Sequence, residues 1–396
     1  MIERPEYLND LISFKDKDLI KIVTGIRRCG KSTLFDIYYD YLVSDGVNSK
    51  QILRINLEEY EFDNINDYKE LYEYVDSKLL KDKMNYVFID EVQKVNNFQK
   101  AIDSLYVKKN VDLYITGSNS KLLSGELATL LSGRYVEIKM LPLSFKEYIS
   151  YIGDGDINKK YVDYVTKSSF PYTLMLDNMK EIRMYLDGLY NAVIVNDIAD
   201  RKDISDIVML KDIIKFMADN IGNLCSSTSI SNTMTSNGRK ISVPTVEKYL
   251  DALVESFVLY KASRYDIKGK KYLTTGSKYY LSDVGLRYYL LGSNNVDEGR
   301  VLENVVYLEL IRRGYVVYIG KNDDNEVDFV AVNDRGIEYY QVSLSVKDGK
   351  TLERELKPLN NINDHNSKYL LTTDYTPYTS HNGIKQINVF DWLLDK

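Results

Sequence analysis

One run of eight residues, Gly25-Ile-Arg-Arg-Cys-Gly-Lys-Ser32, limits what this chain can fold into more than anything else in it. The spacing G-x-x-x-x-G-K-[ST] follows an apolar run at residues 19–24 and precedes a helical pattern at residues 34–42. That is the strand–loop–helix context in which backbone N–H groups and a helix N-terminus close around phosphates. Four fixed positions arise by chance in a chain this long only about once or twice in a hundred, and the flanks lower that further. The spacing makes Gly25, Ile26, Arg27, Arg28, Cys29, Gly30, Lys31, Ser32 and Thr33 the nucleotide-binding residues. Lys31 is expected to reach the β- and γ-phosphates and Ser32 to offer its hydroxyl to Mg²⁺, so ATP and Mg²⁺ are the expected cofactors. Cys29 lies at a helix N-terminus, where a thiol can have a lowered pKa, but a packing role is favoured over redox control.

Short β-branched runs at residues 19–24, 51–57, 86–90, 111–116 and 135–139 alternate with amphipathic stretches, the pattern of an α/β fold with a helix-covered parallel sheet. The third run ends in two carboxylates, Tyr86-Val-Phe-Ile-Asp90-Glu91. Asp90 is expected to hold the Mg²⁺ shell and Glu91 to orient the attacking water, since phosphoryl transfer needs positioning and charge neutralisation more than covalent chemistry. The fourth run ends Thr-Gly-Ser-Asn119, at the edge where α/β sheets place ligands. Ser118 or Asn119 there is either a γ-phosphate sensor or part of a plain turn. Arg134, just before the fifth run, is either an arginine finger or a surface arginine. A finger acting from a neighbouring subunit requires a homo-oligomer.

The other chemistries are limited by composition. With 52 basic and 58 acidic side chains the net charge is −6, so any DNA affinity must be local. Two cysteines and two histidines cannot build a disulfide framework or a Cys/His zinc site. The first residues show no signal peptide, and no apolar run approaches the roughly 18 residues of a membrane span, so a cytoplasmic location without membrane partners is expected. The 35 tyrosines read as codon bias in an AT-rich genome rather than as base-stacking platforms.

Four segments follow from these patterns: an ATPase core at 1–145, a helical lid or connector at 146–203, a winged helix at 204–292 and a further α/β domain at 293–396. The third rests on helices followed by a hairpin that turns through Lys268-Gly-Lys-Lys, with Gly269 supplying the turn. Between Asn237 and Tyr280 lie nine basic residues and four acidic ones, a local +5. This is the footprint that a phosphate backbone attracts. Docking as a helix-turn-helix module would place residues 245–253 as the recognition helix, with Lys248 and the wing lysines Lys268, Lys270 and Lys271 as DNA contacts. Glu247 and Asp251 on that helix argue against base reading and leave a packing role open.

The motifs together resemble a family of prokaryotic AAA-like ATPases whose C-terminal half was long catalogued as a domain of unknown function. The resemblance rests on Gly25-Ile-Arg-Arg-Cys-Gly-Lys-Ser-Thr, Phe88-Ile-Asp-Glu-Val-Gln, Ile115-Thr-Gly-Ser-Asn-Ser, and Leu131-Ser-Gly-Arg-Tyr followed by Pro142-Leu-Ser-Phe-Lys-Glu-Tyr. It covers nearly the whole chain and implies an additional-strand P-loop ATPase core, a helical lid, a winged helix and a restriction-endonuclease-like tail. In that tail Glu303, Asp328 and Gln341-Val-Ser343 are spaced like the metal cluster of PD-(D/E)XK nucleases, which need two or three carboxylates and a lysine. Gln341 stands where an acid is usual and Ser343 where the lysine is usual, so a nuclease-like fold without robust cleavage is expected.

The expected function is a Mg²⁺-dependent ATPase whose nucleotide state controls a winged helix in contact with double-stranded DNA and a nuclease-like tail. Two alternatives stand beside it: a nucleotide-gated scaffold with negligible turnover, and an active metal-dependent nuclease.

Overall fold

The computed structural model describes residues 2–120, 131, 133–153, 155–195, 198–199, 204–292, 297–376 and 379–396. Ser132 of the Leu131-Ser-Gly-Arg-Tyr motif and residues 293–296, the first of the expected segment 293–396, lie outside the described residues. The chain folds as two units, Met1–Pro142 with Glu255–Phe257, and Leu143–Val254 with Val258–Lys396.

The first unit is built on five parallel strands: β1 (Ile20–Thr24), β2 (Ile52–Asn56), β3 (Asn85–Asp90), β4 (Val111–Gly117) and β5 (Tyr135–Lys139). Each coincides within a residue with a run read from the sequence. Their order is β2-β3-β4-β1-β5, so β4 is inserted between the phosphate-loop strand and the acidic strand. This is the α/β, P-loop type of sheet. Strands β1 and β3 are buried along their whole length, which is why they read as apolar runs rather than as alternating ones. Helix α1 (Pro5–Ser13) precedes the sheet, and helix α2 (Lys31–Ser44) buries Leu34, Tyr38 and Leu42 at four-residue spacing. Helices α3 (Tyr68–Lys78) and α4 (Phe98–Tyr106) add Leu71, Val75, Ile102 and Leu105 to a core shared with Ile22, Val87, Ile89 and Ile115.

A charged residue interrupts β1. The ammonium of Lys21, fully buried, is hydrogen-bonded to the Asp112 carboxylate on β4 and donates to the Lys17 carbonyl at 2.9 Å. Asp112 also accepts from the Tyr114 hydroxyl at 2.8 Å and from the Asp16 amide at 3.0 Å. The pair fastens β4 to β1 from within the sheet.

In the second unit, helices Phe145–Ile152, Ile157–Lys167 and Met179–Gly188 are followed by a π-helical stretch, Leu189–Val195. Ser144 starts the first of them with a reciprocal capping box to Glu147. Helices Ile207–Asp219, Ser227–Ser236 and Val243–Glu255 then lead to a hairpin of β6 (Leu259–Asp266) and β7 (Lys271–Leu281). The Ser/Thr-rich stretch is helical because Ser226 caps it and Ile230 and Met234 supply a buried face.

The hairpin turns at Gly269 as expected, and the left-handed backbone falls on the next residue, Lys270, with φ 49°. Asp266 accepts the Gly269 N–H at 2.9 Å, and a Cβ on Gly269 would lie 2.8 Å from that carboxylate. Strand β6 also pairs in parallel with β8 (Val316–Asn322). The hairpin therefore shares one eight-stranded sheet with β8, β9 (Asn325–Asn333), β10 (Gly336–Ser343), β11 (Ser367–Thr372), β12 (Thr379–His381) and β13 (Ile384–Asn388). Segments read separately as 204–292 and 293–396 are thus joined through this sheet. Helix Gly349–Asn360 covers it by packing Leu356 and Leu359 against Val327, Val330 and Tyr339. No described helix is long and apolar enough to cross a membrane.

Asp112→Ala leaves the Lys21 ammonium buried without its counter-charge and is expected to cost about 3–5 kcal/mol. The urea midpoint reads that loss, and the double variant Lys21→Met/Asp112→Leu is expected to regain most of it.

Candidate nucleotide-binding site

The loop between β1 and α2 is shaped by close packing and by two left-handed residues. A Cβ on Gly25 would lie 2.1 Å from the Met140 carbonyl oxygen, so no larger residue fits there. Gly30, with φ 107°, starts α2 without a side-chain cap, and Arg28 has φ 65°. Left-handed residues in such a loop turn successive N–H groups toward one side, and an uncapped helix N-terminus adds its own. A strained non-glycine residue such as Arg28 points to function. Lys31 is buried, and its amine donates to the carbonyls of Gly25 at 3.0 Å and Ile26 at 3.3 Å. Cys29 is also buried, and its thiol faces the Met140 carbonyl at 3.6 Å. Burial pushes the thiol pKa up, the opposite of a reactive cysteine.

The acidic pair is held by the end of β4. The Thr116 hydroxyl donates to Asp90 and accepts the Glu91 N–H at 3.0 Å. Glu91 has a left-handed backbone, φ 53°, and accepts from Ser118 at 3.0 Å and from the Gln93 amide. Its carboxylate lies 3.6 Å from the Lys31 amine. Burial opposes ionisation of Glu91, but Lys31 first and then Arg27 outweigh it and hold the carboxyl below its ordinary pKa. Burial dominates at Asp90 and raises its pKa against hydrogen bonds from Ser32 and Thr116. The Ser32 hydroxyl and the Asp90 carboxylate therefore stand within a hydrogen bond of each other. They are oxygen donors of the kind a hard divalent cation takes, and they fit Mg²⁺.

Loop and acidic strand thus come together with Ser118, and Asn119 is buried directly after it. Arg27 pairs with Glu58 at 2.8 Å. Arg134 is not brought to this group. It lies at the start of β5, where its carbonyl accepts from Ile20, while the loop leaves β1 after Thr24, opposite Lys139. Five strand residues separate the two edges, roughly 16 Å. The Arg134 guanidinium instead pairs with Asp103 at 2.7 Å and covers the Tyr106 ring, which excludes a finger acting within this chain in this arrangement. Thr116 and Gln93 are additions to the site. A polar strand end marked Thr116, and Gln93 closes the Phe88-Ile-Asp-Glu-Val-Gln motif without having been given a role there.

Glu303, Asp328 and Gln341 also converge, but around a lysine. The Lys278 ammonium on β7 is buried 3.1 Å from Glu303 and 2.8 Å from Glu326, and the Tyr280 hydroxyl donates to Glu303 at 2.6 Å. Asp328 accepts the Val342 N–H at 2.8 Å, and Gln341 donates to Glu355 at 3.0 Å. Burial lowers the affinity of Lys278 for its proton, but Glu303, Asp328 and Glu326 outweigh it and raise its pKa. Burial, then Glu303, drives the Asp328 pKa well up. Among the described residues no three His, Cys, Asp or Glu side chains are placed to hold a metal ion.

Lys347, the next lysine along the chain after Ser343, is 82% exposed and 3.8 Å from Asp374. Lys278 was counted in the basic footprint, and its burial removes it from any surface. Lys248, Lys268, Lys270 and Lys271 are exposed, Lys268 pairing with Asp323 at 3.1 Å.

Lys278→Met leaves the Glu303 and Asp328 carboxyls facing each other without a cation and is expected to cost about 3–5 kcal/mol at pH 7.5. Removing the cation raises the folded-state pKa of Asp328 further, so the folded variant binds a proton that the unfolded chain has released. The deficit is therefore largest above that pKa and shrinks as the pH falls toward 4, which thermal melts across pH would read.

Residues 17–149 match a family described as AAA domain, and residues 158–297 match a domain of unknown function. An uncharacterized protein of Haemophilus influenzae is 43% identical over 400 residues, covering 100% of this chain and 99% of its own length. An uncharacterized protein of Methanocaldococcus jannaschii is 30% identical, with 85% of this chain and 77% of that protein covered. Among solved structures, a Walker-type ATPase of Pyrococcus abyssi is 16% identical, with 73% of this chain and 96% of that one covered and a TM-score of 0.49. The chain belongs to the family of the Haemophilus influenzae and Methanocaldococcus jannaschii proteins, and its residues 17–149 are similar to an AAA domain.

Proposed function

We propose that this chain is a Mg²⁺-dependent ATPase. The observation that carries the reading is Glu91, an ionised carboxylate fixed by Ser118 and Gln93 beside the phosphate-loop lysine. In this reading the N–H groups of Gly30 and its neighbours cradle the phosphates. Lys31 gives up the carbonyls of Gly25 and Ile26 for the β- and γ-phosphates, and Arg27 adds positive charge on the same side. Ser32 and Asp90 hold Mg²⁺, which neutralises charge on the phosphate oxygens when bound. Glu91 orients a water and accepts its proton as the oxygen attacks the γ-phosphorus; the bond to the β–γ bridging oxygen breaks, and ADP and phosphate leave. Asn119 would sense the γ-phosphate from the end of β4. Arg134, on the far edge of the sheet, acts as a finger only on the site of a neighbouring subunit.

In the second unit, helices Ile207–Asp219, Ser227–Ser236 and Val243–Glu255 with the β6–β7 hairpin are read as a winged helix. The strands and helices after it are read as a nuclease-like fold. Exposure of Lys268, Lys270 and Lys271 around one turn, with Lys248 on the helix before it, favours contact with the phosphates of double-stranded DNA. Lys278 among Glu303, Glu326 and Asp328 favours a tail that does not cleave. A chain that binds ATP without turning it over, as a gated scaffold, is the competing reading.

Phosphate release from Mg-ATP at low salt, with and without double-stranded DNA, separates these readings. The wild type is expected to turn over, faster with DNA. Lys31→Ala is expected to lose nucleotide binding, and Glu91→Gln to bind ATP while its kcat falls by about 100-fold or more. Normal turnover by either variant contradicts the assignment, and retention of unhydrolysed ATP by the wild type favours the scaffold.

A further inference from the structure

The segment before α1 reaches the phosphate loop through one side chain. Arg4 is only 3% exposed, although it lies near the start of the chain. Its guanidinium donates from Nη1 to the Cys29 carbonyl at 3.0 Å and from Nη2 to the Leu141 carbonyl at 2.7 Å, and it lies 4.8 Å from the centre of the Tyr7 ring. The Tyr7 hydroxyl accepts the Leu141 N–H at 3.1 Å. One planar fork thus ties together three separate pieces of chain: the N-terminal segment, the phosphate loop and the residues that follow β5.

We infer that Arg4 is a positioning residue for nucleotide binding, setting the orientation of the Cys29–Gly30 peptide in the phosphate loop. This rests on the ATPase reading above. In a trans peptide the C=O and the N–H point in opposite directions. With the Cys29 carbonyl drawn to Arg4, the Gly30 N–H is turned away from Arg4, toward the side from which a phosphate approaches. Met140 closes the same region, because its carbonyl packs on Gly25 and faces the Cys29 thiol.

Two carbonyls at a fixed spacing suit the guanidinium fork, whereas an ammonium is a single point of charge and serves one of them at a time. The Cys29 and Leu141 carbonyls and the Tyr7 ring face the buried charge.

The test uses the full chain and a fluorescent ATP analogue, with wild type, Lys31→Ala, Arg4→Met and Arg4→Lys compared by Kd, KM, kcat and amide hydrogen exchange. Charge-assisted hydrogen bonds of this kind predict that Arg4→Met raises Kd and KM by about 10-fold or more while kcat changes less than about 3-fold. Arg4→Lys is expected to fall between Arg4→Met and wild type. In both variants the Gly30 and Lys31 amides should exchange faster while those of β3 do not. A folded Arg4→Met or Arg4→Lys with wild-type Kd overturns the inference. So does exchange that accelerates equally throughout the first unit, which is the behaviour of a purely structural contact. If Arg4→Met does not fold, Arg4→Lys carries the same comparison. A wild type that binds no nucleotide, indistinguishable from Lys31→Ala, removes the ATPase reading and this inference with it.

Discussion

The hydroxyl of Thr116 joins the two carboxyl groups on which the site depends. It donates to Asp90 and accepts the backbone N–H of Glu91, so one oxygen sets both the carboxylate and the strained turn that follows it. It can do so because β4 lies between β1 and β3, in parallel register with each. The same insertion brings Ser118 to Glu91, which stands beside Lys31. Lower in the sheet, the buried Lys21–Asp112 pair fixes β4 to β1, with Asp112 also tied to Tyr114 and Asp16. A slip of β4 would strand a charge in the core and separate Asp90 and Glu91 from the loop between β1 and α2. Fold and site thus share one constraint.

Electrostatics then separates two carboxyls that are neighbours in sequence. Asp90 is held high by burial, whereas Glu91, also buried, is held low by Lys31 and Arg27. Neighbouring acids pushed apart in this way take different roles. A cation between Ser32 and Asp90 would reverse the burial effect at Asp90, while Glu91 is ionised already. The second unit uses charge differently. Lys278 fills the space among Glu303, Glu326 and Asp328 with a cation that belongs to the chain, and it links the hairpin to the helix Glu298–Arg312 and to β9.

The parallel sheet was legible because strands buried on both faces read as apolar runs, and the residues of the candidate site because they are contiguous in two motifs, which the sheet brings together. What was not legible depends on pairing between distant segments. Lys278 reads as part of a basic hairpin until β6 pairs with β8 and carries β7 against the tail. Glu355, which takes the Gln341 amide, lies on a helix that the reading did not reach. Arg134 precedes β5 in the expected way, but parallel pairing puts the start of that strand at the edge opposite the loop. Arg4 carries no local signal at all, since its partners are carbonyls 25 and 137 residues away. The hairpin turn was legible from Gly269, but the Asp266 carboxylate that crowds it and the left-handed backbone of Lys270 were not.

In the proposed reaction Asp90, held by Thr116 beside Ser32, serves a cation that comes with ATP. The most direct measurement is a calorimetric titration of the full chain with ATP, with and without Mg²⁺, for the wild type and for Asp90→Asn. Tighter binding with Mg²⁺ is expected for the wild type, and binding by Asp90→Asn that no longer responds to the ion. Equal wild-type affinity in both conditions, or an undiminished response to Mg²⁺ in Asp90→Asn, would contradict this role of Asp90.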